Sequence, residues 1–311
     1  MRVFVAGASG AIGRPLVPRL LAAGHEVTGS TRSRERAEAI RAAGATPVLV
    51  DALDPEALLQ AVEQAAPEVV VHQLTALPER FDPRRADLYD ATNRVRAEGT
   101  ANLLAAALAA GARRFVSQSI AFGYAPGPRP EVISEDAPLN LEAPSPFAEA
   151  MRVIAEMERA VLHTDGLEGL VLRYGWFYGP GTYYAEDGTT AEEVRKRRFP
   201  VIGSGAGLFS FIHVDDAADA TVAAVEGGAP GVYNVVDDEP AAMRDWLPAY
   251  AEAIGARRPR RIPVWLARLA AGKMASLVNQ QPGASNAKAK RELGWQPRWR
   301  TWREGFREAP R

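Results

Sequence analysis

Short apolar runs and amphipathic segments alternate along the first part of the chain. The apolar runs predict five strands, over residues 3–5, 26–30, 47–50, 69–72 and 114–118. The amphipathic segments predict helices over 14–23, from 55 with Asp54 as its N-cap, and over about 87–110 with Gly111 as its C-cap. Strands that alternate with helices are typical of a parallel sheet covered on both faces. The fold class is therefore predicted as α/β, a Rossmann-type doubly wound parallel sheet.

The remaining sequence continues the alternation with shorter elements. We expect residues 1–170 to form an NAD(P)-binding Rossmann domain and residues 171–311 to form a smaller C-terminal α/β substrate region, partly interleaved with the first. The stretch His213-Val-Asp215-Asp216 predicts a strand end and a helix that Asp215 or Asp216 caps, with a substrate role for His213 as the alternative. A chain of 311 residues with 47% hydrophobic content can bury a sizeable core.

The first strand ends in a glycine-rich turn that leads directly into the first helix. Gly7, Gly10 and Gly13 have the spacing GxxGxxG. The first glycine allows the tight turn, the second lets the main chain approach a pyrophosphate, and the third lets the helix pack closely on the strand. The helix N-terminus adds unpaired N–H groups. This order of elements predicts a dinucleotide site, and we expect the cofactor to contact Gly7, Ser9, Gly10, Ala11, Ile12 and Gly13.

The end of the second strand favours NADP over NAD. An NAD site usually carries an acidic residue here to hold the ribose 2′-hydroxyl, whereas an NADP site carries arginine. The strand tip has no acid, and Arg32 and Arg36 follow it about one helical turn apart. We expect the two arginines to hold a 2′-phosphate. The alternatives are that they only solvate the next helix and that the cofactor is NAD.

Residues at the carboxyl ends of the predicted strands complete the expected cofactor site. In doubly wound sheets, ligands lie beyond these ends. The rule places five residues at the cofactor edge, Asp51, Leu74, Thr75, Gln118 and Ser119. We also expect Tyr174, at the end of the sixth strand, to contact the cofactor. The region after it is rich in aromatic residues, with Trp176, Tyr178, Tyr183 and Tyr184, and some of these are expected to be core. The polar, glycine-rich segment Gly179 to Gly188 is predicted to line the substrate site.

Composition and charge narrow the classes of function. The absence of cysteine excludes disulfides, thiol catalysis and cysteine-based zinc sites, and the four histidines show no metal-binding spacing, so no metal is expected. A formal net charge of −1 gives no reason to expect nucleic acid or a membrane as a partner. No apolar run has the length of a membrane span and no secretory pattern is found, which predicts a cytoplasmic protein.

Nine segments, spread over nearly the whole chain, follow the order of a known family's motifs. They are Gly7-Ala-Ser-Gly10-Ala-Ile-Gly13; Asp51; Val71-His72-Gln73-Leu74; Glu98-Gly99-Thr100-Ala101-Asn102-Leu103-Leu104; Arg114-Phe115-Val116-Ser117-Gln118-Ser119; Leu172-Arg173 with Tyr178-Gly179-Pro180-Gly181; Phe211-Ile212-His213-Val214-Asp215-Asp216-Ala217; Val232-Tyr233-Asn234-Val235; and Glu292-Leu293-Gly294-Trp295 with Pro297. The chain thereby resembles the short-chain dehydrogenase/reductase superfamily, in its extended or atypical NAD(P)-dependent epimerase/dehydratase branch.

The resemblance implies an NAD(P)-binding enzyme and roles for particular residues. It implies that Asp51 and Ala52 border the adenine. It implies that Leu74 and Thr75 border the ribose and the pyrophosphate, and that Ser119 hydrogen-bonds a carbonyl or hydroxyl of the substrate. It also implies a homodimer through the long helices, with a monomer as the alternative.

The resemblance fails at the residues that carry the family's proton transfer. That chemistry rests on a Tyr-x-x-x-Lys pair, in which the lysine lowers the pKa of the tyrosine. The matching segment is Ser145-Pro-Phe147-Ala-Glu-Ala-Met151, so Phe147 stands at the tyrosine position and Met151 at the lysine position. Arg96 stands where the family usually has asparagine. An atypical active site with a non-standard proton donor is therefore expected.

Ser119 and Tyr124 are the candidate catalytic residues. Ser119 is expected to orient the substrate, and Tyr124, five residues later, to supply the proton or act as an anchor, with a packing role as its alternative. The sequence thus predicts an NADP-dependent oxidoreductase that acts on a small organic carbonyl or alcohol. The alternatives are an NADP(H)-binding regulator or redox sensor without turnover, and a non-redox lyase or isomerase on the same fold.

Overall fold

The structure, a computed structural model, describes residues 1–80, 82 and 85–307, so the last four residues of the predicted substrate region lie outside it. Its first elements are β1 (Arg2–Ala6), α1 (Gly13–Ala22), β2 (Glu26–Thr31), α2 (Arg34–Ala42), β3 (Thr46–Leu49), α3 (Pro55–Ala65), β4 (Val69–His72), α4 (Asp90–Arg94), a π-helical turn (Val95–Gly99), α5 (Thr100–Ala109), β5 (Arg114–Ile120), β6 (Val132–Ile133) and α6 (Phe147–Leu162). The later elements are β7 (Glu168–Tyr174), β8 (Trp176–Tyr178), α7 (Thr189–Arg195), β9 (Val201–Ile202), β10 (Leu208–Phe209), β11 (Phe211–His213), α8 (Val214–Glu226), β12 (Gly231–Val235), β13 (Ala241–Ala242), α9 (Met243–Ala253), β14 (Arg261–Ile262), α10 (Val264–Ala271), α11 (Met274–Leu277), β15 (Gly283–Ala284), α12 (Ala287–Glu292) and α13 (Trp302–Gly305).

The central sheet confirms the predicted fold class. Seven strands lie in the order β12-β7-β5-β4-β1-β2-β3, and all neighbouring pairs are parallel. The strand order reverses at β1, because β2 leads to one edge of the sheet and β4 to the other. Such a switch point opens a crevice at the carboxyl ends of the strands, where doubly wound sheets bind their ligands. The sheet therefore positions the glycine turn beside the ends of β2 and β4.

Successive strand residues point to opposite faces of the sheet and build two cores. Val3 and Val5 pack on one face with Leu20 of α1 and with the small residues of α8. Phe4 packs on the other face with Leu58 of α3 and with α5. The two cores hold the strand ends and the glycine turn in fixed positions.

Aromatic side chains form a separate core in the C-terminal part of the chain. Tyr178, Phe211, Trp246 and Trp302 are buried together there. A single residue, Gly175, separates the end of β7 from the start of β8, and β8 pairs in parallel with β11. This core therefore fixes the segment that follows the carboxyl end of β7. In the described part of the chain, no helix is long and apolar enough to cross a membrane.

The helix predicted over about 87–110 is present but irregular. It begins at Asp90 and contains the π-helical turn Val95–Gly99 between α4 and α5, which the sequence pattern did not predict. The caps predicted at Asp54 and Gly111 are confirmed. The Asp54 carboxylate accepts a hydrogen bond from the main-chain N–H of Ala57 at 3.1 Å, and Gly111 adopts a left-handed φ of 73° after α5.

The predicted capping of α8 by Asp215 or Asp216 is wrong. The imidazole Nδ1 of His213 caps this helix, because it accepts a hydrogen bond from the main-chain N–H of Asp215 at 3.1 Å. Asp216 instead accepts two main-chain hydrogen bonds from the C-terminal segment, at 2.9 and 3.0 Å. The Asp216 carboxylate does not cap the helix because the main chain of Arg298 and Trp299 packs against it and donates both hydrogen bonds.

Candidate active site

The glycine turn between β1 and α1 forms a cradle of main-chain groups. Gly7 has a left-handed φ of 89°, and a Cβ there would lie 2.9 Å from the carbonyl oxygen of Gln73. A Cβ on Gly13 would overlap the main chain of Gly7 and Ala8, so only glycine lets α1 begin this close to the turn. Gly10 borders open space except for the carbonyl oxygen of Gly7. The cradle thus has room for a phosphate group at Gly10.

The N-terminus of α1 adds positive charge to this cradle. Its N-cap residue, Ile12, offers no side-chain hydrogen bond to the first turn. Uncapped N–H groups and the helix dipole favour an anion at this end. The sequence reasoning missed Arg14, which is exposed in the first turn and whose guanidinium lies against Gly181. Its only sequence signal is its place directly after the third glycine.

The predicted arginines lie at the tip of β2. Arg32 and Arg36 are exposed, and the Arg32 guanidinium lies 3.7 Å from the Asp51 carboxylate. Among the described residues, Arg36 has no ion-pair partner. The hydroxyl groups of Ser9 and Thr31 lie 3.1 Å apart and join the tip of β2 to the glycine turn. The two arginines are therefore available to a negatively charged group at this end of the cradle.

The other predicted cofactor residues lie along the same edge of the sheet. The side-chain amide of Gln118 donates a hydrogen bond to the carbonyl oxygen of Leu74 at 2.6 Å, and Thr75, next to it, is exposed. Ala52 is buried after β3, where its carbonyl oxygen accepts a hydrogen bond from Asn102 at 2.9 Å. Together with the glycine cradle, these residues fit an extended dinucleotide.

Tyr174 lies deeper than the other predicted cofactor residues. Its hydroxyl group lies 2.7 Å from that of Thr221 in α8 and accepts a hydrogen bond from the amide of Gln73 at 3.1 Å. The ring is buried in the core between the sheet and α8. These contacts are those of a packed core residue whose one link toward the cofactor edge is Gln73.

His72 anchors the segment that follows β4. Its Nδ1 accepts a hydrogen bond from the main-chain N–H of Leu74 at 3.1 Å. Nε2 therefore carries the proton, and it donates a hydrogen bond to the Thr100 hydroxyl at 2.9 Å. Burial lowers the pKa of His72 to about 3, with a smaller contribution from the positive charge of Arg96. The imidazole is therefore neutral at physiological pH and positions the main chain at the cofactor edge.

Ser119 and Tyr124 both belong to a buried network around Arg173. The Ser119 hydroxyl group donates a hydrogen bond to the Glu158 carboxylate at 2.6 Å. Arg173 donates two hydrogen bonds to the same carboxylate, at 2.9 and 2.5 Å. Arg173 also donates to the Tyr124 hydroxyl at 3.0 Å, and Tyr124 donates to the Asn234 side chain at 2.6 Å. The network ties together β5, α6, β7 and β12.

These contacts limit the chemistry of the two candidate catalytic residues. Tyr124 is 3% exposed, and burial raises the pKa of its hydroxyl group. To protonate a substrate, it would first have to break its hydrogen bond to Asn234. The geometry thus fits the anchoring role of Tyr124 better than that of a proton donor. The sequence reasoning missed Glu158, whose signal is a charged residue at an apolar position of an amphipathic helix.

Phe147 and Met151 lie on α6, beside the end of β5. Phe147 opens the helix, and its ring centroid lies 6.2 Å from that of Tyr89. Met151 is fully buried, and a Cβ on Gly123 would lie 2.7 Å from its sulfur. Neither side chain has an ionisable group, so neither can donate a proton at this place.

Aromatic rings line the carboxyl ends of β5 and β7. Phe122, just after β5, stacks on Trp176, at the start of β8, with ring centroids 3.9 Å apart and an interplanar angle of 16°. Both side chains are only partly buried. They offer a flat apolar surface at the ligand-binding edge of the sheet.

Known proteins share this fold. The model of the NAD dependent epimerase/dehydratase family matches residues 3–235. A Streptomyces 3-diazoavenalumate denitrifying reductase is 53% identical over 98% of this chain and 99% of its own. The NAD complex of a Thermus thermophilus UDP-glucose 4-epimerase has a TM-score of 0.75 at 27% identity, covering 99% of this chain and 97% of that one. A human epimerase family protein with NADPH has a TM-score of 0.75 at 21% identity, covering 99% and 98%. The chain therefore belongs to the NAD dependent epimerase/dehydratase family, as an NAD(P)-dependent oxidoreductase.

Proposed function

We propose that this protein is an NADPH-dependent reductase that removes a diazo group from an aromatic carboxylate as dinitrogen. The observation that carries the proposal is the pair of non-ionisable residues Phe147 and Met151, at the place where the family's proton relay is expected. Support comes from the 53% identity, over nearly the full length of both chains, to a reductase named for denitrifying a diazo compound. The partly exposed aromatic rings of Phe122 and Trp176 suit an aromatic substrate.

The chemistry of the two candidate reactions differs in its need for a proton. Reduction of a carbonyl group adds a hydride to carbon and a proton to oxygen, which requires a positioned acid. In the reduction of an aryl diazonium group, the carbon–nitrogen bond breaks, its electron pair leaves with dinitrogen, and a hydride forms the new carbon–hydrogen bond. No proton is consumed. The reduced nicotinamide, when bound, supplies the hydride. A site without a proton relay is adequate for the second reaction.

The chain's own residues bind and orient the reactants in this proposal. The glycine turn and the N-terminus of α1 hold the pyrophosphate, and Arg32 and Arg36 hold the 2′-phosphate. Phe122 and Trp176 provide the surface for the aromatic ring. The network of Ser119 and Tyr124 keeps the end of β5 in place beneath them.

The first experiment follows NADPH oxidation with 3-carboxybenzenediazonium labelled with ¹⁵N. We expect one ¹⁵N₂ released, and one benzoate formed, for each NADPH oxidised, after subtraction of the rate without protein. NADPH binding without oxidation would contradict the proposal and favour a cofactor-binding regulator. Release of dinitrogen without NADPH oxidation would favour a non-redox lyase.

The choice of NADP over NAD is tested with Arg32→Ala. Because a charged hydrogen bond to the 2′-phosphate is lost, we expect NADPH binding to weaken by about 1.5–3 kcal/mol. NADH binding should stay nearly unchanged, since NADH lacks that phosphate. Arg41→Ala is the matched control, because Arg41 is exposed at the other end of α2 and pairs with Glu38 at 2.6 Å. Equal losses for both cofactors in the Arg32 variant would contradict the assignment.

A further inference from the structure

Arg96 is a buried cation without a counter-charge in the described part of the chain. Its side chain is 6% exposed, and it and Arg173 are the two arginines buried among the described residues. Arg173 binds the Glu158 carboxylate with two hydrogen bonds. Arg96 makes no hydrogen bond or ion pair with any described residue.

The helix face that carries Arg96 packs against the segment that follows β4. The Thr92 hydroxyl accepts a hydrogen bond from the main-chain N–H of Ala76 at 2.8 Å, and the Thr100 hydroxyl lies 2.9 Å from Nε2 of His72. Arg96 lies between these two threonines on the helix, one turn from each. The positive charge of Arg96 lowers the pKa of His72, the last residue of β4, so the guanidinium lies near the carboxyl end of this strand, at the ligand-binding edge of the sheet.

Tyr89 is a further neighbour of Arg96 and connects it with Phe147 and Met151 of α6. Tyr89 lies close enough for its hydroxyl group to influence the pKa of Arg96, and it contacts Phe147 and packs in one cluster with Met151. Burial lowers the pKa of Arg96 to about 10, so the side chain is still charged at neutral pH. A buried charge costs free energy unless an anion pairs with it. The π-helical turn that contains Arg96 is also a feature found frequently at functional sites.

We propose that Arg96 binds the carboxylate of the substrate. This inference rests on the proposed function, in which the substrate is an aromatic carboxylate. The planar guanidinium can form two parallel hydrogen bonds with a carboxylate, which supplies the missing counter-charge. Its positive charge also repels a diazonium cation. The substrate thus binds with its carboxylate at Arg96 and its reducible group away from it.

The test compares the binding of 2-naphthoate and uncharged 2-naphthamide to the protein saturated with NADP⁺ or with NAD⁺. In Arg96→Met, we expect the dissociation constant of naphthoate to rise at least about 10-fold, because charged hydrogen bonds are lost. Naphthamide and cofactor binding should change less than about twofold. The urea midpoint should stay equal or rise, because an unpaired buried charge is removed.

Arg94→Met is the matched control. Arg94 lies on the same helix, is exposed and pairs with Glu98 at 3.1 Å, so its replacement should leave naphthoate binding unchanged. If Arg96→Met does not fold, Arg96→Lys is used, because it keeps the charge without the planar guanidinium. We then expect a dissociation constant for naphthoate that lies between the wild-type value and the value for naphthamide.

Three results would overturn the proposal for Arg96. They are wild-type naphthoate affinity in the Arg96 variants, equal losses for naphthoate and naphthamide, and a loss confined to the cofactor. None of these measurements depends on turnover. Carboxylate binding that depends on Arg96, combined with no reduction of 3-carboxybenzenediazonium, would contradict the proposed reductase function and leave the anion site in place.

Discussion

Tyr124→Phe separates a proton donor from a structural anchor. In the structure, the Tyr124 hydroxyl accepts a hydrogen bond from Arg173 at 3.0 Å and donates one to Asn234 at 2.6 Å. The substitution removes both bonds and leaves the Asn234 side-chain oxygen buried without this donor. Arg173 keeps its hydrogen bonds to Glu158 and to the carbonyl oxygen of Glu135, so its charge remains compensated.

The expected cost follows from these contacts. A hydrogen bond to a charged donor is worth about 1.5–3 kcal/mol, and a buried acceptor left unpaired costs about 1–3 kcal/mol. The two contributions share one hydroxyl group and do not simply add, so we expect the free energy of unfolding to fall by about 2–4 kcal/mol. Turnover of the folded variant should stay within about threefold of wild type, because an anchor takes no part in proton transfer.

Urea unfolding measures the free energy of unfolding, provided that the m-value is unchanged. The rate of NADPH oxidation at low temperature measures the turnover of the folded variant. Tyr250→Phe is the matched control, because the hydroxyl of this buried tyrosine donates to main-chain carbonyl oxygens, those of Tyr184 at 3.2 Å and Ala185 at 3.4 Å. Loss of this hydroxyl group should cost about 1 kcal/mol. A 100-fold loss of turnover with unchanged stability would refute this reasoning and make Tyr124 the proton donor.

Two further predictions concern the cofactor edge. Because the pKa of His72 is lowered to about 3 in the folded protein, its contribution to stability is complete above the unfolded pKa of about 6.5 and is lost as the pH falls toward 3. Between about pH 6.5 and 4.5, the free energy of unfolding should therefore fall less in His72→Asn than in wild type, by up to about 2.5 kcal/mol. Parallel pH profiles of the two proteins in urea titrations would contradict this. Gly13→Ala should cost about 1–3 kcal/mol of stability and weaken NADPH binding, because its Cβ would overlap the main chain of the turn. Gly10→Ala, with more room, should weaken NADPH binding at a smaller cost in stability, and equal unfolding midpoints for all three proteins would show that the cradle is not tightly packed.

The fold could be predicted because its signals are local. The glycine turn at Gly7 to Gly13 and the apolar run Val3 to Val5 each specify a short piece of backbone, and their order implies a parallel sheet. Both sides of that sheet bury apolar residues, as the pattern requires. Strand bounds differ from the predictions by only a residue or two, because the hydrogen bonds of neighbouring strands decide where each one ends.

The side-chain network could not be predicted, because its members are far apart in the sequence. Ser119 meets Glu158 after 39 residues, and Tyr124 meets Asn234 after 110. No spacing rule joins such positions. Glu158 and Arg173 do leave a weaker signal, since each interrupts an otherwise apolar stretch and therefore needs a buried partner.

The predicted cofactor contacts differ in what supports them. The close packing at Gly13 follows directly from its spacing and is visible in the structure. All the predicted contacts with a cofactor, including those of Ala11, Ile12 and Tyr174, stay predictions. The sequence marks Arg96 only as a departure from the family's motif, because it does not reveal that the charge is buried in a π-helical turn without a partner among the described residues.

We propose that this site reduces a group whose reduction consumes no proton. The most direct measurement is the ratio of kcat/KM for 3-carboxybenzenediazonium to that for 3-carboxybenzaldehyde, two substrates that differ in the reducible group. Since a positioned acid contributes about 100-fold or more to carbonyl reduction, we expect the diazonium salt to be favoured by at least about 100-fold, after subtraction of the rate without protein. A ratio in favour of the aldehyde would contradict the account, because it would require a proton donor in this site.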